Sequence, residues 1–338
     1  MKRTLTFLVF LAILVTCSRA LSIAPDDFAA ARNPQSESGS RTVAITVDDL
    51  PGAVPGTGRA VGDLSDLQKI NHAIPRILNA HHAPAVGFVN EWKLQVSGER
   101  DARVALLQAW LDAGLTLGNH TYSHASFQSV DQFESETIRG EVVTQALMKA
   151  AGRQEKYFRH PFLMTGPSRE AKTAFETFLK EHGYEVAPVT VDNADYEFND
   201  VLGKALDEKN EDLAARTKSA YLAYMNTAFA YYEDLSRSLF HREIPQILLI
   251  HDSELTAECL DPLLGNLEKH GYRFISLDQA LSDPAYETPD LFIGREGVSW
   301  LVRWKLAFGQ EADWQKEPDP PAWIIKASNE IRRAKLNR

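Results

Sequence analysis

Cysteine is nearly absent from this chain. Two occur in 338 residues, Cys17 and Cys259, and the first falls in a segment expected to be removed. A lone remaining thiol cannot close an internal disulfide and has no cysteine neighbour with which to build a metal motif. Cys259 is therefore expected to be a buried structural residue. A basic excess is missing too. Thirty-six Lys and Arg stand against 46 Asp and Glu, for a net charge of −10, which argues against nonspecific binding to nucleic acid or anionic lipid. A glycine-rich phosphate cradle is lacking, and this sets a metal-free phosphohydrolase aside. Repeats, low-complexity tracts and long linkers are not seen. The apolar run at residues 5–15 is too short for a comfortable membrane span. With Lys2 and Arg3 before it and Ser18-Arg19-Ala20 after it, it reads as a secretory signal over residues 1–20. An uncleaved anchor and a lipid-modified Cys17 are the alternatives. Stable membrane insertion is not expected after signal cleavage.

What is present is an ordinary globular composition, 44% hydrophobic and 24% charged, which allows a sizeable core. Residues 21–40 have no period and are expected to be a flexible leader. Residues 41–325 are expected to form one domain, and residues 326–338 a polar tail. Strand patterns fall at residues 43–47, 85–89, 115–118, 157–160, 186–191, 246–250 and 273–276. Helical patterns separate most of them, at 103–113, 133–151, 169–182 and 260–270, with Gly183 and Gly271 as stops. Residues 199–240 read as a long helical stretch with a break near Asn210. Seven strands alternating with helices imply an α/β fold with a parallel sheet, open or closed into a barrel.

The reactive side chains fall at one kind of place. Asp48 and Asp49 follow the first strand, His120 the third, and Arg159 ends the fourth. Asp192 and Asp195 follow the fifth, and His251 the sixth. In a parallel barrel the carboxyl ends of the strands share one face, where active sites form. His120 and His124 stand four apart, so one helical turn would put both on one side. Two imidazoles so placed can bind one metal, and Asp48 or Asp49 is the natural third ligand of an open catalytic site. The pair of adjacent acids asks for such a cation, because the two carboxylates repel each other.

Five short motifs then bring a family into view. They are Thr46-Val47-Asp48-Asp49-Leu50, His120-Thr121-Tyr122-Ser123-His124, Arg159-His160-Pro161-Phe162, Asp192-Asn193-Ala194-Asp195-Tyr196 and Leu248-Leu249-Ile250-His251. In this order they resemble the motifs of polysaccharide deacetylases of the NodB-homology type, carbohydrate esterase family four. The resemblance implies a distorted (β/α)7 barrel with a helical insertion before the last catalytic strand. It implies that Asp49, His120 and His124 bind a divalent metal, expected to be Zn2+, and that Asp48 is the general base. Both acids would be aimed at the cation by the turn where the strand ends. Arg159 would lie beside Asp48 and lower its pKa. The N–H of Phe162 would help hold the oxyanion, with Tyr196 on the substrate side. His251 would be the general acid, with Asp195 raising its pKa. The implied activity is removal of N-acetyl groups from a chitin- or peptidoglycan-like polymer by an exported protein, periplasmic or extracellular. The alternatives are an O-deacetylase of acetylated xylan and a non-catalytic carbohydrate-binding relative. The partner in each case is an acetylated polysaccharide or oligosaccharide.

Two departures stand out. Leu50 occupies a position where the family usually has glycine, so the turn there is expected to be built differently. The inserted stretch also carries Tyr221, Tyr224, Phe229, Tyr231 and Tyr232, which at helical spacing are expected to be core. Trp300 and Trp304 are expected to pack on the barrel.

Overall fold

The computed structural model describes residues 41–53, 62–294 and 297–336. The signal peptide and leader expected for residues 1–40 lie outside the described residues. Chain order runs β1 (Thr42–Leu50), α1 (Leu64–Ala80), β2 (Ala85–Val89), α2 (Arg100–Asp112), β3 (Thr116–Asn119), α3 (Val130–Arg139), α4 (Val142–Ala150), β4 (Tyr157–Phe158), α5 (Arg169–Glu181) and β5 (Glu185–Val186). It continues with α6 (Asp195–Asp207), α7 (Glu211–Phe240), β6 (Gln246–His251), α8 (Glu254–Lys269), β7 (Arg273–Phe274), α9 (Leu277–Leu281), α10 (Trp300–Ala307) and α11 (Ala322–Leu336). All described residues belong to one compact unit. Among them, no helix is long and apolar enough to cross a membrane.

The seven expected strands are all there, and every registered pair is parallel. Their order is β5-β4-β3-β2-β1-β6, and β7 pairs with the start of β1 at Thr42 and Val43. β1 is the centre, and Val43 to Val47 are fully buried. A strand covered on both faces reads as a continuous apolar run rather than an alternating one, which is what VAITV is. The fifth strand is split. Glu185 and Val186 pair with β4, and the same chain then crosses to the far edge, where Thr190 N–H donates to Ile247 O at 3.0 Å and Val191 pairs with Leu248. This crossing closes the curled sheet toward β6 and makes the distorted barrel.

The region from α6 to α7 is the helical insertion, and Asn210 caps the second helix by accepting from Leu213 N–H. Tyr221, Tyr224, Phe229 and Tyr232 are buried, as are Trp300 and Trp304. The aromatic stripe and the tryptophan pair are core, except that Tyr231 is only partly buried against it. Cys259 is buried as well.

Two expectations about the helices fail. The single helix expected over residues 133–151 is two, α3 and α4, broken at Gly140. A Cβ at Gly140 would lie 2.6 Å from Thr121 C and 2.7 Å from Tyr122 N, so the loop bearing the two histidines packs where a side chain would be. The polar tail expected at residues 326–338 is also wrong, because residues 326–336 continue α11. The cause is an amphipathic stripe: Ile324 and Ser328 are buried, and Trp323, Ala327 and Ile331 pack against the main core. Ser328 Oγ and Arg332 Nε both donate to the buried carboxylate of Asp200 on α6, at 2.8 and 2.6 Å. Truncation after Pro321 is expected to cost about 3 kcal/mol or more, from exposing Ile324 and stripping partners from Asp200. Chemical denaturation of the shortened chain checks this.

Candidate metal centre

The acids of β1 are aimed by a bulge, not by the turn after the strand. β1 runs on through both acids to Leu50, and its register with β2 shifts between Val47 and Leu50. Asp49 has φ +74°, the left-handed region that few non-glycine residues adopt. This breaks the alternation that would send neighbours to opposite faces, so both carboxylates line one cleft. A cis Leu50–Pro51 peptide follows, and Gly52 N–H donates back to Asp49 O at 3.0 Å.

The histidines do not lie on a helical turn either. His120 to His124 is a loop with positive φ at Thr121 and His124. The end of α3 clamps it. Tyr122 N–H donates to Glu136 O at 2.9 Å, Asn119 Nδ2 to Thr137 O at 3.0 Å, and the N–H and hydroxyl of Ser123 to Glu136 Oε2, each at 2.7 Å. The rings come to 4.8 Å between centroids. One ligand atom each from Asp49, His120 and His124 lie within 4.8 Å of one another. His124 Nε2 stands 3.8 Å and His120 Nε2 4.0 Å from Asp49 Oδ1.

The donor chemistry suits a metal. His120 Nδ1 donates to Arg159 O at 2.8 Å, which leaves Nε2 as the lone-pair nitrogen facing Asp49. Burial holds the His120 and His124 imidazoles down, to about 3 and about 4, and therefore neutral. Burial works to raise the Asp49 carboxyl, but the surrounding cationic groups, Lys93 first, overcome it and hold it well below the usual range. Two neutral imidazoles and one carboxylate are the protonation states that a bound cation needs.

Asp48 and His251 flank this trio. Arg159 is fully buried, and its Nη1 donates to both oxygens of Asp48 at 3.2 Å; its other nitrogens hold Thr46 Oγ1 and Ala187 O at 2.9 Å. The expected lowering of the Asp48 pKa is reversed. Burial raises that carboxyl, and Arg159 opposes the rise without cancelling it. His251 sits opposite Asp48 in the β1–β6 register. Its N–H donates to Asp195 Oδ2 at 2.8 Å and its Nδ1 to Oδ1 at 2.7 Å. Burial would lower this imidazole, but Asp195 outweighs it, aided by Asp49 and Asp48, and the pKa is pushed up to about 10.

Asp48, Asp49, His120, His124, Phe162, Tyr196 and His251 all line one cavity of about 510 Å³. Phe162 is exposed, has φ +54°, and sets its ring 4.5 Å from that of His124. Its carbonyl accepts from Gly297 N–H at 3.0 Å, at a place where a Cβ on Gly297 would lie 2.4 Å from that oxygen. Tyr196 forms the rim, edge-on to His251. Arg159 and Asp195 stand behind the cavity wall. His160 packs among Phe133, Phe158 and Phe175, at the edge of the cavity.

Sequence reasoning passed over the end of β2. Asn90, just past the strand, donates from Nδ2 to His120 O at 2.6 Å and to Thr121 O at 3.3 Å, and its N–H donates to Leu50 O at 3.0 Å. It ties the aspartate segment to the histidine loop. Lys93, in the 3-10 turn Glu91–Leu94, reaches Asp49. The strand-end rule, applied to the second strand, pointed to both.

The curled parallel sheet thus carries, at its carboxyl ends, an Asp-His-His trio that could hold a metal ion, beside an acid pair and a His–Asp couple. Residues 35–187 match the polysaccharide deacetylase family. The match contains the first three motifs, and the fold brings the other two to the same cavity. No curated protein matches the chain. Among solved structures it is similar to the polysaccharide deacetylase Bc1974 from Bacillus cereus, at 17% identity over 70% of this chain and 91% of that one, with a TM-score of 0.46. It is also similar to the peptidoglycan deacetylase PdaC from Bacillus subtilis, at 18% identity over 72% and 92%, TM-score 0.41. A third is BA3943 from Bacillus anthracis, a CE4 family pseudoenzyme, at 17% identity over 73% and 67%, TM-score 0.43. The likeness to the family rests on the sequence match.

Proposed function

We propose that this protein is an exported, metal-dependent hydrolase that removes N-acetyl groups from an amino-sugar polymer. The observation that carries the reading is the meeting of Asp49, His120 and His124 in one cavity with Asp48 and His251. A divalent ion held by that trio, best matched by Zn2+ for a His2Asp set, would polarise the acetyl carbonyl and make water acidic enough to attack it. Asp48 takes the proton from the attacking water, and Arg159 keeps its carboxylate in place through both oxygens. Phe162 N–H steadies the oxyanion. His251 then hands its proton to the leaving amine, and Asp195 holds the imidazole in the orientation that allows this. Tyr196 offers a face to the sugar. A second hollow of about 970 Å³ shares Asp192, Asn193, Tyr196 and Gly297 with the first and carries the exposed Trp314, which favours a substrate longer than one sugar. The periplasm or the exterior, suggested by residues 1–20, belongs to the same proposal.

Acetate release from chitin oligomers, peptidoglycan and acetylated xylan, with and without a chelator, tests the reading. Chelator-sensitive release from an N-acetylated polymer is the expected result. Release from xylan alone makes it an O-deacetylase. Glycan bound with no acetate from any of the three makes it a binding protein.

A further inference from the structure

Lys93 stands nearer to the ligand carboxylate than either histidine does. Its Nζ lies 3.3 Å from Asp49 Oδ1, against 3.8 Å for His124 Nε2 and 4.0 Å for His120 Nε2. The same ammonium donates to the main-chain carbonyl of Asp49 at 2.8 Å. Its side chain is only 6% exposed, so it has little water to fall back on and is held where it is by that anion. The backbone beneath it is pinned: Lys93 N–H donates to Asn90 O at 3.2 Å, and Arg103 Nη1 donates to Lys93 O at 3.2 Å. None of the five motifs includes it.

The two adjacent acids are thus each matched with a separate buried cation, Asp48 with Arg159 and Asp49 with Lys93. Arg159 touches a carboxylate outside the ligand trio and can stay when the site fills. Lys93 touches the ligand oxygen itself.

We propose that Lys93 is a resident counter-charge for Asp49. It balances the ligand carboxylate while the site holds no ion, braces the left-handed bulge through the main-chain carbonyl, and competes with the incoming cation for Oδ1. The inference rests on the reading of Asp49, His120 and His124 as a metal site. It makes Lys93 a positioning residue whose charge lowers the cation affinity of the site and stabilises the chain without metal.

Those two effects have opposite signs, and this separates them from a simple packing role. Lys93→Met keeps the length of the side chain and removes the charge. Metal-free Lys93→Met is expected to unfold at a lower temperature than metal-free wild type. Saturating Zn2+ is expected to narrow that gap or reverse it. In a competition titration against a chromophoric chelator, the variant is expected to bind Zn2+ at least about tenfold more tightly, since a unit charge a few ångströms from the ion is gone. Lys93→Gln, which keeps a donor for the Asp49 carbonyl, is expected to tighten binding in the same direction and serves if the methionine variant does not fold. An affinity unchanged or weakened in a folded variant, with the same loss of unfolding temperature with and without Zn2+, overturns the proposal and leaves Lys93 a structural brace. Wild type that takes up no equivalent of Zn2+ overturns the metal site first and this inference with it.

Discussion

Asp49→Ala should retain no divalent metal and no activity, whereas Asp48→Asn should keep its metal and lose activity by about 10²–10⁴-fold. The two residues are neighbours, yet the bulge at Asp49 gives them different partners. Asp49 Oδ1 faces the two Nε2 atoms and is the only carboxylate in the trio. Without it two neutral imidazoles remain, too few for a tightly held catalytic ion. Asp48 Oδ2 is 3.7 Å from His120 Nε2, but its oxygens are engaged by Arg159. An amide there keeps the volume, gives up the basic oxygen and leaves the trio in place. Metal content by elemental analysis and acetate release by steady-state kinetics read the two outcomes separately. Thermal unfolding of both variants guards against a trivial loss of fold, since Asp48→Asn leaves buried Arg159 with a weaker partner. An Asp48→Asn protein within tenfold of wild type would remove Asp48 from the role of base.

A second large effect is expected in the pH profile. His251 must carry a proton to act as an acid. Burial disfavours its charged form, and Asp195 overrides burial to hold the pKa up to about 10. The basic limb of wild-type activity is therefore expected only in the alkaline range, while protonation of Asp48 sets the acid limb. In Asp195→Asn the carboxylate is gone while burial stays, so the basic limb should drop to an ordinary histidine value or lower. At a pKa of about 6.5 only some 3% of His251 is protonated at pH 8, a loss of about 30-fold there and much less at pH 6. The same pair affects stability. The folded pKa lies above the unfolded one, so the stabilisation is fully present below about pH 6.5 and is lost as pH rises toward about 10. Rate profiles and denaturation midpoints of both proteins from pH 5 to 10 give the check. A basic limb that does not move would separate His251 from the proton delivered to the amine.

Much of this architecture is legible before any coordinate is known. Strands such as residues 43–47 and 247–250 are covered on both faces, so they appear as largely apolar runs. The residues that end them gather on one face by the geometry of parallel strands alone. Spacing was a poorer guide. The HxxxH pair suggested a helical turn, but positive φ at Thr121 and His124 brings the rings together from a loop. Gly140 looked like an ordinary residue inside a helical period, because nothing local reveals that another backbone will press against it. The pKa of Asp48 could not be judged from the presence of Arg159, since the opposing cost is set by how deeply β1 is buried. Lys93 and Asn90 carry no motif. The acid at the end of β2, Glu91, turns away to accept from Val143 and Thr144 N–H, so the segment offered no reactive residue to follow. The last helix was missed by composition, although Ile324, Ser328 and Ile331 trace a stripe once period rather than polarity is followed.

The crossing at Gly140 also bears on how this sequence can change. Because the histidine loop rests on bare backbone there, a mutation to any larger residue has to be answered by a shift of the helix pair or of the loop, and a shift of the loop carries both imidazoles with it. In this chain, then, the position of the two imidazoles depends on a residue that touches neither of them.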